Sequence, residues 1–291
     1  MGLKTATGII DEGVVRVKEI VLGDMVIGGG SPCILIAGPC VIEDGVKTEK
    51  IARYLKDLTR EMGMPFVFKA SYDKANRTSI NSFRGPGLNE GLDILRGIRE
   101  GLGIPVLSDV HSFEEIEDAS KVLDIMQIPA FLCRQTDFLI AVAKAAGIIN
   151  IKKGQFIAPW DVPNIVEKIT YAGNSNILIT ERGVTFGYNN LVADMRSLPI
   201  VRRMGHPVVF DATHSVQLPG NAGGSSGGDR EMAVYLARAA VATGIDGLFL
   251  EVHPDPECAL CDGPNSLYLD SLPALLGMLK KIDGIVKAGE R

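Results

Sequence analysis

Eight short apolar segments recur along this chain, and each is followed by a longer segment with the apolar spacing of a helix. The apolar runs are continuous rather than alternating, which is typical of parallel strands buried on both faces. They lie at 34–37, 65–69, 105–110, 122–128, 147–152, 176–180, 207–211 and 247–252. The helix-like segments lie at 46–62, 88–102, 113–121, 136–146, 162–172, 191–204, 230–243 and 269–286. This pattern predicts an α/β protein with a (β/α)8 TIM barrel, with a doubly wound parallel sheet as the alternative.

The segment before the first of these strands has a different pattern. Residues 14–28 are typical of two short strands around a turn at Gly23 and Asp24, and a glycine-rich linker follows at 28–32. The sequence therefore predicts an N-terminal β-hairpin and linker over residues 1–32 and a barrel catalytic domain over residues 33–291.

Composition excludes several classes of protein. The net charge of −5 argues against a nucleic-acid-binding protein, so any basic patch would serve a small anion. No run of about 18 uncharged apolar residues is present, which argues against a membrane protein. The chain has five cysteines, an odd number, and its N-terminus lacks the pattern of a secretory signal peptide. We expect a reduced, cytoplasmic setting.

The segment at 66–79 has the most informative charge pattern. A predicted buried strand is followed directly by Lys69, Lys74 and Arg77, with almost no apolar residue between them. Three cations that emerge together from a buried strand require counter-charge, and an anionic ligand would supply it. The alternative is a solvated loop with ordinary surface lysines.

Polar residues also follow the other predicted strands, where a barrel carries its chemistry. Three of the four histidines occupy such positions, and only His206 lies before a strand. Cys40, His214 and Glu251 come from strands one, seven and eight, which are neighbours in a closed barrel, and Asp262 follows the eighth strand. A thiolate, an imidazole and two carboxylates suit Zn2+, Fe2+ or Mn2+. The alternative is a buried Cys40 and a hydrogen-bonded His214 without metal.

Two further patterns leave alternatives open. The CxxC pattern at 258–261 is found in zinc sites and redox pairs, but no second CxxC or thioredoxin-like context accompanies it. The glycine- and serine-rich segment at 219–229 follows strand seven and is either a flexible loop or a lid that orders over ligand. The cations at strand ends are too many for one phosphate and predict two anionic groups: Lys69, Lys74, Arg77, Arg134, Lys153 and Arg182.

Seven motifs carry a resemblance to a known family. They are IAGPC at 36–40, KANRTS at 74–79, RGPG at 84–87, QIPAFLCRQTD at 127–137, KKGQF at 152–156, DATHS at 211–215 and EVHPDP at 251–256. Over about residues 33–285 the chain resembles the 3-deoxy-D-manno-octulosonate 8-phosphate synthases. The resemblance implies condensation of phosphoenolpyruvate with D-arabinose 5-phosphate in lipopolysaccharide synthesis, by a cytoplasmic homotetramer.

The resemblance also implies roles for individual residues. Cys40 is typical of the metal-dependent branch, whereas residues 261–266 resemble the metal-independent branch, so the metal requirement stays open. The implied metal ligands are Cys40, His214, Glu251 and Asp262. The implied phosphoenolpyruvate site comprises Lys74, Gln127, Lys153 and Arg182, and the sugar phosphate site comprises Asn76, Arg77, Thr78 and, from an adjacent subunit, Arg134. Lys69 and Asp109 would line the reacting centre, so the implied catalytic set is Lys69, Lys74, Asp109, His214 and Asp262.

Three rival functions fit many of the same sequence features. The related heptulosonate phosphate synthases share the AGPC motif and use erythrose 4-phosphate, but they usually carry KPRTS where this chain has KANRTS. A metal-dependent aldolase on the same barrel would release pyruvate from a ketose. A non-catalytic phosphosugar-binding barrel is the third rival, and the coincidence of two anion sites with a metal site disfavours it.

Overall fold

The computed structural model describes residues 17–220 and 227–289. Its centre is a closed barrel of eight parallel strands. The barrel strands are β3 (Ile34–Gly38), β4 (Phe66–Lys69), β5 (Val106–Asp109), β6 (Ile125–Ile128), β7 (Ile148–Lys152), β8 (Ile177–Glu181), β11 (Val208–Asp211) and β14 (Gly247–His253). Each pairs with the next, and β14 pairs with both β3 and β11, which closes the cylinder. The predicted TIM barrel is confirmed.

Helices follow the strands and form the outer layer. They are α1 (Gly45–Met62), α2 (Leu88–Leu102), α3 (Phe113–Val122), α4 (Thr136–Ala145), α5 (Val162–Tyr171), α6 (Ser197–Arg202), α7 (Arg230–Ala242) and α8 (Leu272–Gly289). In α1, Ile51, Leu55 and Leu58 recur at helical spacing and are buried against the barrel. The Asp44 side chain caps this helix by accepting a hydrogen bond from the Lys47 amide at 2.7 Å. No helix among the described residues is long and apolar enough to cross a bilayer.

The predicted hairpin is present and lies at the end of the barrel where the strands begin. It consists of β1 (Ile20–Leu22) and β2 (Met25–Ile27), which pair antiparallel. Ile20 and Ile27 pack in one buried cluster with residues of the barrel interior, including Val67 and Phe249. The hairpin therefore covers the barrel opposite the strand ends that carry the polar residues. The division at residues 32 and 33 remains a prediction, and residues 1–16 lie outside the described part.

One predicted helix is wrong in extent. The sequence predicts a helix over 191–204, whereas β9 (Val184–Thr185) and β10 (Leu191–Val192) form a small hairpin and α6 begins only at Ser197. Pro199 explains the late start, because proline lacks an N–H and is tolerated in a helix only within the first turn. The apolar residues at 191 and 192 thus serve a strand pair rather than a helix face.

The loop at 219–229 is described only at its ends. Here β12 (Gln217–Leu218) pairs antiparallel with β13 (Gly227–Gly228), which brings the two ends of the loop together. The prediction of a lid rests largely on residues 221–226, which lie outside the described residues. Within the described ranges, the shorter elements are β15 (Leu267–Tyr268) beside β14 and five 3-10 turns, at Ala130–Leu132, Pro159–Asp161, His214–Val216, Pro256–Cys258 and Leu269–Ser271.

Candidate active site

A cavity of about 200 Å³ opens at the carboxyl ends of the barrel strands. It is lined by most of the side chains that the sequence singles out: Lys69, Lys74, Asn76, Arg77, Thr78, Asp109, Gln127, Arg182, His214 and Asp262. Cys40 and Glu251 are almost fully buried next to these residues. Among the predicted residues, only Lys153 and Arg134 are absent from this group.

Lys69 and Lys74 are buried rather than solvated. The Lys69 ammonium group donates to the Cys40 carbonyl at 2.8 Å and to Glu251 Oε1 at 3.0 Å. The Lys74 Nζ atom lies 3.9 Å from both Asp109 Oδ2 and Glu251 Oε1. Burial lowers the pKa of Lys74, but nearby acidic groups outweigh burial and hold that pKa well above its usual value. Lys74 therefore presents positive charge to the cavity.

The strands β3 and β4 approach each other closely at Gly38 and Lys69. A side chain at Gly38 would bring its Cβ atom to 1.9 Å from the Lys69 carbonyl oxygen. Glycine at the end of β3 therefore lets β3 and β4 lie side by side up to the lysine.

Lys152 and Arg182 supply two more buried cations. Lys152 pairs with Asp211, and its Nζ atom lies 3.4 Å from the centre of the Phe249 ring. Burial lowers the pKa of Lys152 to about 8, although Asp211 acts in the opposite direction. The Arg182 guanidinium donates to Gln217 Oε1 at 2.5 Å, and burial lowers the pKa of Arg182 as well. The cost of burying these cations indicates that an anion belongs beside them.

The parity of the strand explains why Lys152, and not Lys153, reaches the cavity. Successive side chains of a strand point to opposite faces, so Asn150 and Lys152 share the inner face of β7. Lys153 is buried on the other side, where its Nζ atom donates to the Ile157 carbonyl at 2.8 Å and lies 3.3 Å from Glu181 Oε2. Counting alternate positions from the buried strand would have identified Lys152 from the sequence.

Arg134 lies outside the cavity of a single chain. Its side chain is exposed, and its carbonyl accepts a hydrogen bond from Lys168 at 2.9 Å. The expectation that Arg134 serves an adjacent subunit therefore stays a prediction.

The predicted metal ligands form two groups that share Asp262. Cys40 Sγ lies 3.3 Å from Asp262 Oδ2 and 2.9 Å from Cys261 Sγ. On the other side, His214 Nε2 lies 3.6 Å from Asp262 Oδ2 and 3.4 Å from Glu251 Oε1. The ligand atoms within each group all lie within 4.8 Å of one another. Cys261, from the CxxC pattern at 258–261, is not among the predicted ligands, but it lies beside Cys40, and the next residue, Asp262, adopts a left-handed φ of +49°.

The donor set fits a divalent cation of borderline softness. The Glu251 Oε2 atom is buried and has no hydrogen-bond partner within the described residues. A buried carboxylate oxygen without a partner is costly unless a cation occupies its free side. Thiolate, imidazole and carboxylate together suit Zn2+, Fe2+ or Mn2+. These residues can therefore hold a metal ion.

Asp211 orients the histidine of this set. Its Oδ2 atom accepts from His214 Nδ1 at 2.7 Å, which leaves Nε2 facing Glu251 and Asp262. Burial lowers the pKa of His214, but Asp211 and Glu251 outweigh burial and hold that pKa above its usual value. A carboxylate behind a histidine is the usual support of a metal-binding imidazole.

The comparisons with known proteins agree with this geometry. A model of the DAHP synthetase I family matches residues 10–288. The chain belongs to the DAHP synthetase I family. A protein of Geotalea daltonii named 2-dehydro-3-deoxyphosphooctonate aldolase is 65% identical over 271 residues, which cover 93% of this chain and 100% of that protein. Proteins of the same name from Geobacter sulfurreducens and Pelobacter propionicus are 64% and 60% identical over 270 residues, or 93% of this chain and 99% of each relative.

Proposed function

We propose that this member of the DAHP synthetase I family condenses phosphoenolpyruvate with D-arabinose 5-phosphate and water. The products are 3-deoxy-D-manno-octulosonate 8-phosphate and phosphate, as in the synthesis of lipopolysaccharide. The observation that carries this proposal is the group of cations around one cavity: Lys69, Lys74, Arg77, Lys152 and Arg182. The shared name of relatives at 60–65% identity supports the eight-carbon product. We further propose a cytoplasmic homotetramer, on the resemblance alone.

The two anionic substrates are assigned to different sides of the cavity. Lys74, Lys152 and Arg182 would hold phosphoenolpyruvate, with Gln127 beside it. Lys153 belongs to this set by resemblance, but its position outside the cavity favours Lys152 as the lysine in direct contact. The sugar phosphate would lie against Asn76, Arg77 and Thr78, with Arg134 of a neighbouring subunit.

The chemistry follows from holding two anions in fixed orientation. C3 of phosphoenolpyruvate attacks the aldehyde carbon of the sugar while water adds to C2, and the resulting hemiketal phosphate loses phosphate by C–O cleavage. Orientation of this kind can lower a barrier by about 7–11 kcal/mol in favourable cases. Lys69 and Asp109 are assigned to the reacting centre, where Lys74 lies 3.9 Å from Asp109 Oδ2. The lysine ammonium groups stabilise negative charge on the departing phosphate.

We propose that the enzyme is of the metal-dependent type, with Cys40, His214, Glu251 and Asp262 as ligands. A bound Zn2+, Fe2+ or Mn2+ would order the substrates and lower the pKa of the attacking water. Asp211 accepts a hydrogen bond from the His214 ring at 2.7 Å, and Lys69 donates to Glu251 Oε1 at 3.0 Å.

The role of Asp211 gives a first prediction. Asp211→Asn should weaken metal binding by about 10- to 100-fold, because the ring of His214 loses its anionic partner. Dialysis against graded chelator, followed by elemental analysis, measures the affinity. Asp194→Asn is the matched control, because Asp194 pairs with Arg196 at the surface and should leave metal affinity unchanged. Equal metal affinity in Asp211→Asn and the parent would contradict this role.

The pKa of Lys152 gives a second prediction. Because burial lowers this pKa to about 8, Lys152 loses its positive charge as the pH rises through that value. Phosphoenolpyruvate affinity, measured by calorimetry, should therefore fall by about tenfold between pH 7 and pH 9.5. Lys152→Met should bind weakly at pH 7 and show a much flatter pH profile. Lys153→Met should keep the parent profile, and the reverse pattern would assign the contact to Lys153.

The choice of sugar tests the proposed function against its nearest rival. Phosphate release from phosphoenolpyruvate is measured with arabinose 5-phosphate and, in parallel, with erythrose 4-phosphate. The proposal expects at least about 100-fold higher kcat/KM with the five-carbon sugar, since a site built to hydrogen-bond extra hydroxyl groups discriminates strongly. Faster release with erythrose 4-phosphate would instead assign a heptulosonate phosphate synthase.

A further inference from the structure

Side chains from four neighbouring barrel strands form one continuous chain of hydrogen bonds. The Thr180 hydroxyl of β8 donates to Asn150 Oδ1 of β7 at 2.6 Å, and Asn150 Nδ2 donates to Gln127 Oε1 of β6 at 2.7 Å. Gln127 Nε2 in turn donates to Asp109 Oδ1 at the end of β5. Thr180 and Asn150 are fully buried and do not line the cavity, whereas Gln127 and Asp109 do.

The register of the barrel brings these residues together. Asp109 pairs with Gln127, and Gln127 pairs with Asn150, in adjacent parallel strands. Thr180 is paired with Lys152, two residues beyond Asn150, so the last link runs diagonally. Residues on the same face of neighbouring strands are within reach across such a diagonal.

The direction of every hydrogen bond follows from the carboxylate at one end. An ionised carboxylate only accepts hydrogen bonds, so Gln127 must present its amide nitrogen to Asp109. The Gln127 oxygen then faces Asn150, which must present its own nitrogen. The Asn150 oxygen is left for a donor, and the Thr180 hydroxyl supplies that donor.

Asp109 is held at both oxygens. Ser71 donates to Oδ2, opposite the Gln127 amide on Oδ1. The carboxylate therefore has a fixed orientation next to Lys74, whose Nζ atom lies 3.9 Å from Oδ2.

We propose that Asn150 and Thr180 are positioning residues for the condensation, and that they act through Gln127 on Asp109. This inference rests on the proposed function. Loss of the Thr180 hydroxyl leaves Asn150 Oδ1 buried without a donor. The Asn150 side chain must then shift to find another partner, and Gln127, which accepts from Asn150 at 2.7 Å, shifts with it. Asp109 accepts from Gln127 and thereby loses its fixed orientation beside Lys74.

A near-isosteric variant isolates this effect. Thr180→Val removes one hydroxyl and should lower kcat by about tenfold, because a single buried hydrogen bond is lost. The KM for arabinose 5-phosphate should change by less than about twofold, since the residues assigned to that substrate lie outside the hydrogen-bond chain. Thr180→Ser keeps the hydroxyl and should retain most of the parent kcat. Thr180→Ala provides the same test if Thr180→Val does not fold, as judged by circular dichroism.

A double-mutant cycle distinguishes positioning from simple packing. In a Gln127→Met background the chain of hydrogen bonds is already broken, so Thr180→Val should change kcat by less than about twofold. An effect on kcat of the same size in both backgrounds would overturn the proposal, as would an unchanged kcat for Thr180→Val in the otherwise normal protein.

The four proteins of this cycle are the parent, Thr180→Val, Gln127→Met and the double variant. They also separate this inference from the proposed function. Thermal unfolding of the set reports whether Thr180 and Gln127 are coupled, whatever the protein catalyses. If the parent releases no phosphate from the two substrates, the proposed function fails, and coupled unfolding still supports the hydrogen-bond chain. If the parent is active and unfolding is coupled but kcat is not, the positioning role is wrong while the proposed function stands.

Discussion

Cys40→Ala is expected to yield a folded protein that no longer retains a divalent metal ion. Its rate of phosphate release should fall by at least about 100-fold, because metal ions in such sites contribute several kcal/mol. The buried thiol lies 3.3 Å from Asp262 Oδ2 and is the softest of the four proposed ligands. Elemental analysis of the purified protein and a continuous phosphate assay measure the two effects.

Cys258→Ser is the matched control for this variant. Cys258 is an exposed thiol in the turn before the Asp262 segment and belongs to neither group of potential ligands. It should therefore keep the metal content and rate of the parent. Full activity of Cys40→Ala after treatment with chelator would refute the metal-dependent assignment.

Arg77→Ala is expected to have the second largest effect, and the effect should be selective. The affinity for arabinose 5-phosphate should fall by about 100-fold, as expected for loss of a charge-assisted contact to phosphate. The affinity for phosphoenolpyruvate should change by no more than about threefold, since that substrate is assigned to Lys74, Lys152 and Arg182. Calorimetric titration of each substrate in turn separates the two values.

The contacts of Arg77 require one further measurement. Its guanidinium donates to Cys261 Sγ at 2.7 Å and lies 3.8 Å from Asp262 Oδ1, so metal content must be determined for the same sample. Arg84→Ala is the matched control, since Arg84 is in the same segment but pairs with Asp73 outside the cavity. Equal losses of affinity for both substrates in Arg77→Ala would show that the assignment of the two anion sites is wrong.

The barrel could be predicted from the sequence because its strands leave a strong pattern. Strands buried on both faces are continuous apolar runs, and the helices between them keep their 3.6-residue spacing. The helix predicted over 191–204 was wrong in extent because a few apolar residues fit either a strand or a helix. There the position of Pro199 decides where the helix begins, and proline near a helix start is easily overlooked.

The candidate site could be predicted in part, because a TIM barrel brings the carboxyl ends of all its strands to one face. That rule brings Cys40, His214 and Glu251 together without knowledge of any distance. That rule by itself does not tell which of the adjacent Lys152 and Lys153 faces inward; alternate positions along β7 must also be counted. It also could not place Cys261 beside Cys40, where the next residue, Asp262, adopts a left-handed backbone. Non-glycine residues seldom adopt that conformation, so the sequence carries little signal for it.

The buried hydrogen-bond chain was missed for a different reason. Asn150 and Thr180 are isolated polar residues within apolar strands, and the sequence alone does not distinguish them from ordinary core polar residues. Asn150 lies two residues before Lys152, and Thr180 lies two residues before Arg182, so each shares the inner face of the barrel with that cation. This alternate spacing is the signal that could have identified them.

The most direct test of the central claim is a product analysis with isotopically labelled substrate. The parent enzyme is incubated with arabinose 5-phosphate and phosphoenolpyruvate that carries 18O in the bridging position between carbon and phosphorus. We expect an eight-carbon 2-keto sugar acid phosphate and an equal amount of inorganic phosphate that retains the label, because the C–O bond is broken. Absence of the eight-carbon product, or unlabelled phosphate with pyruvate as the only other product, would contradict the proposed function.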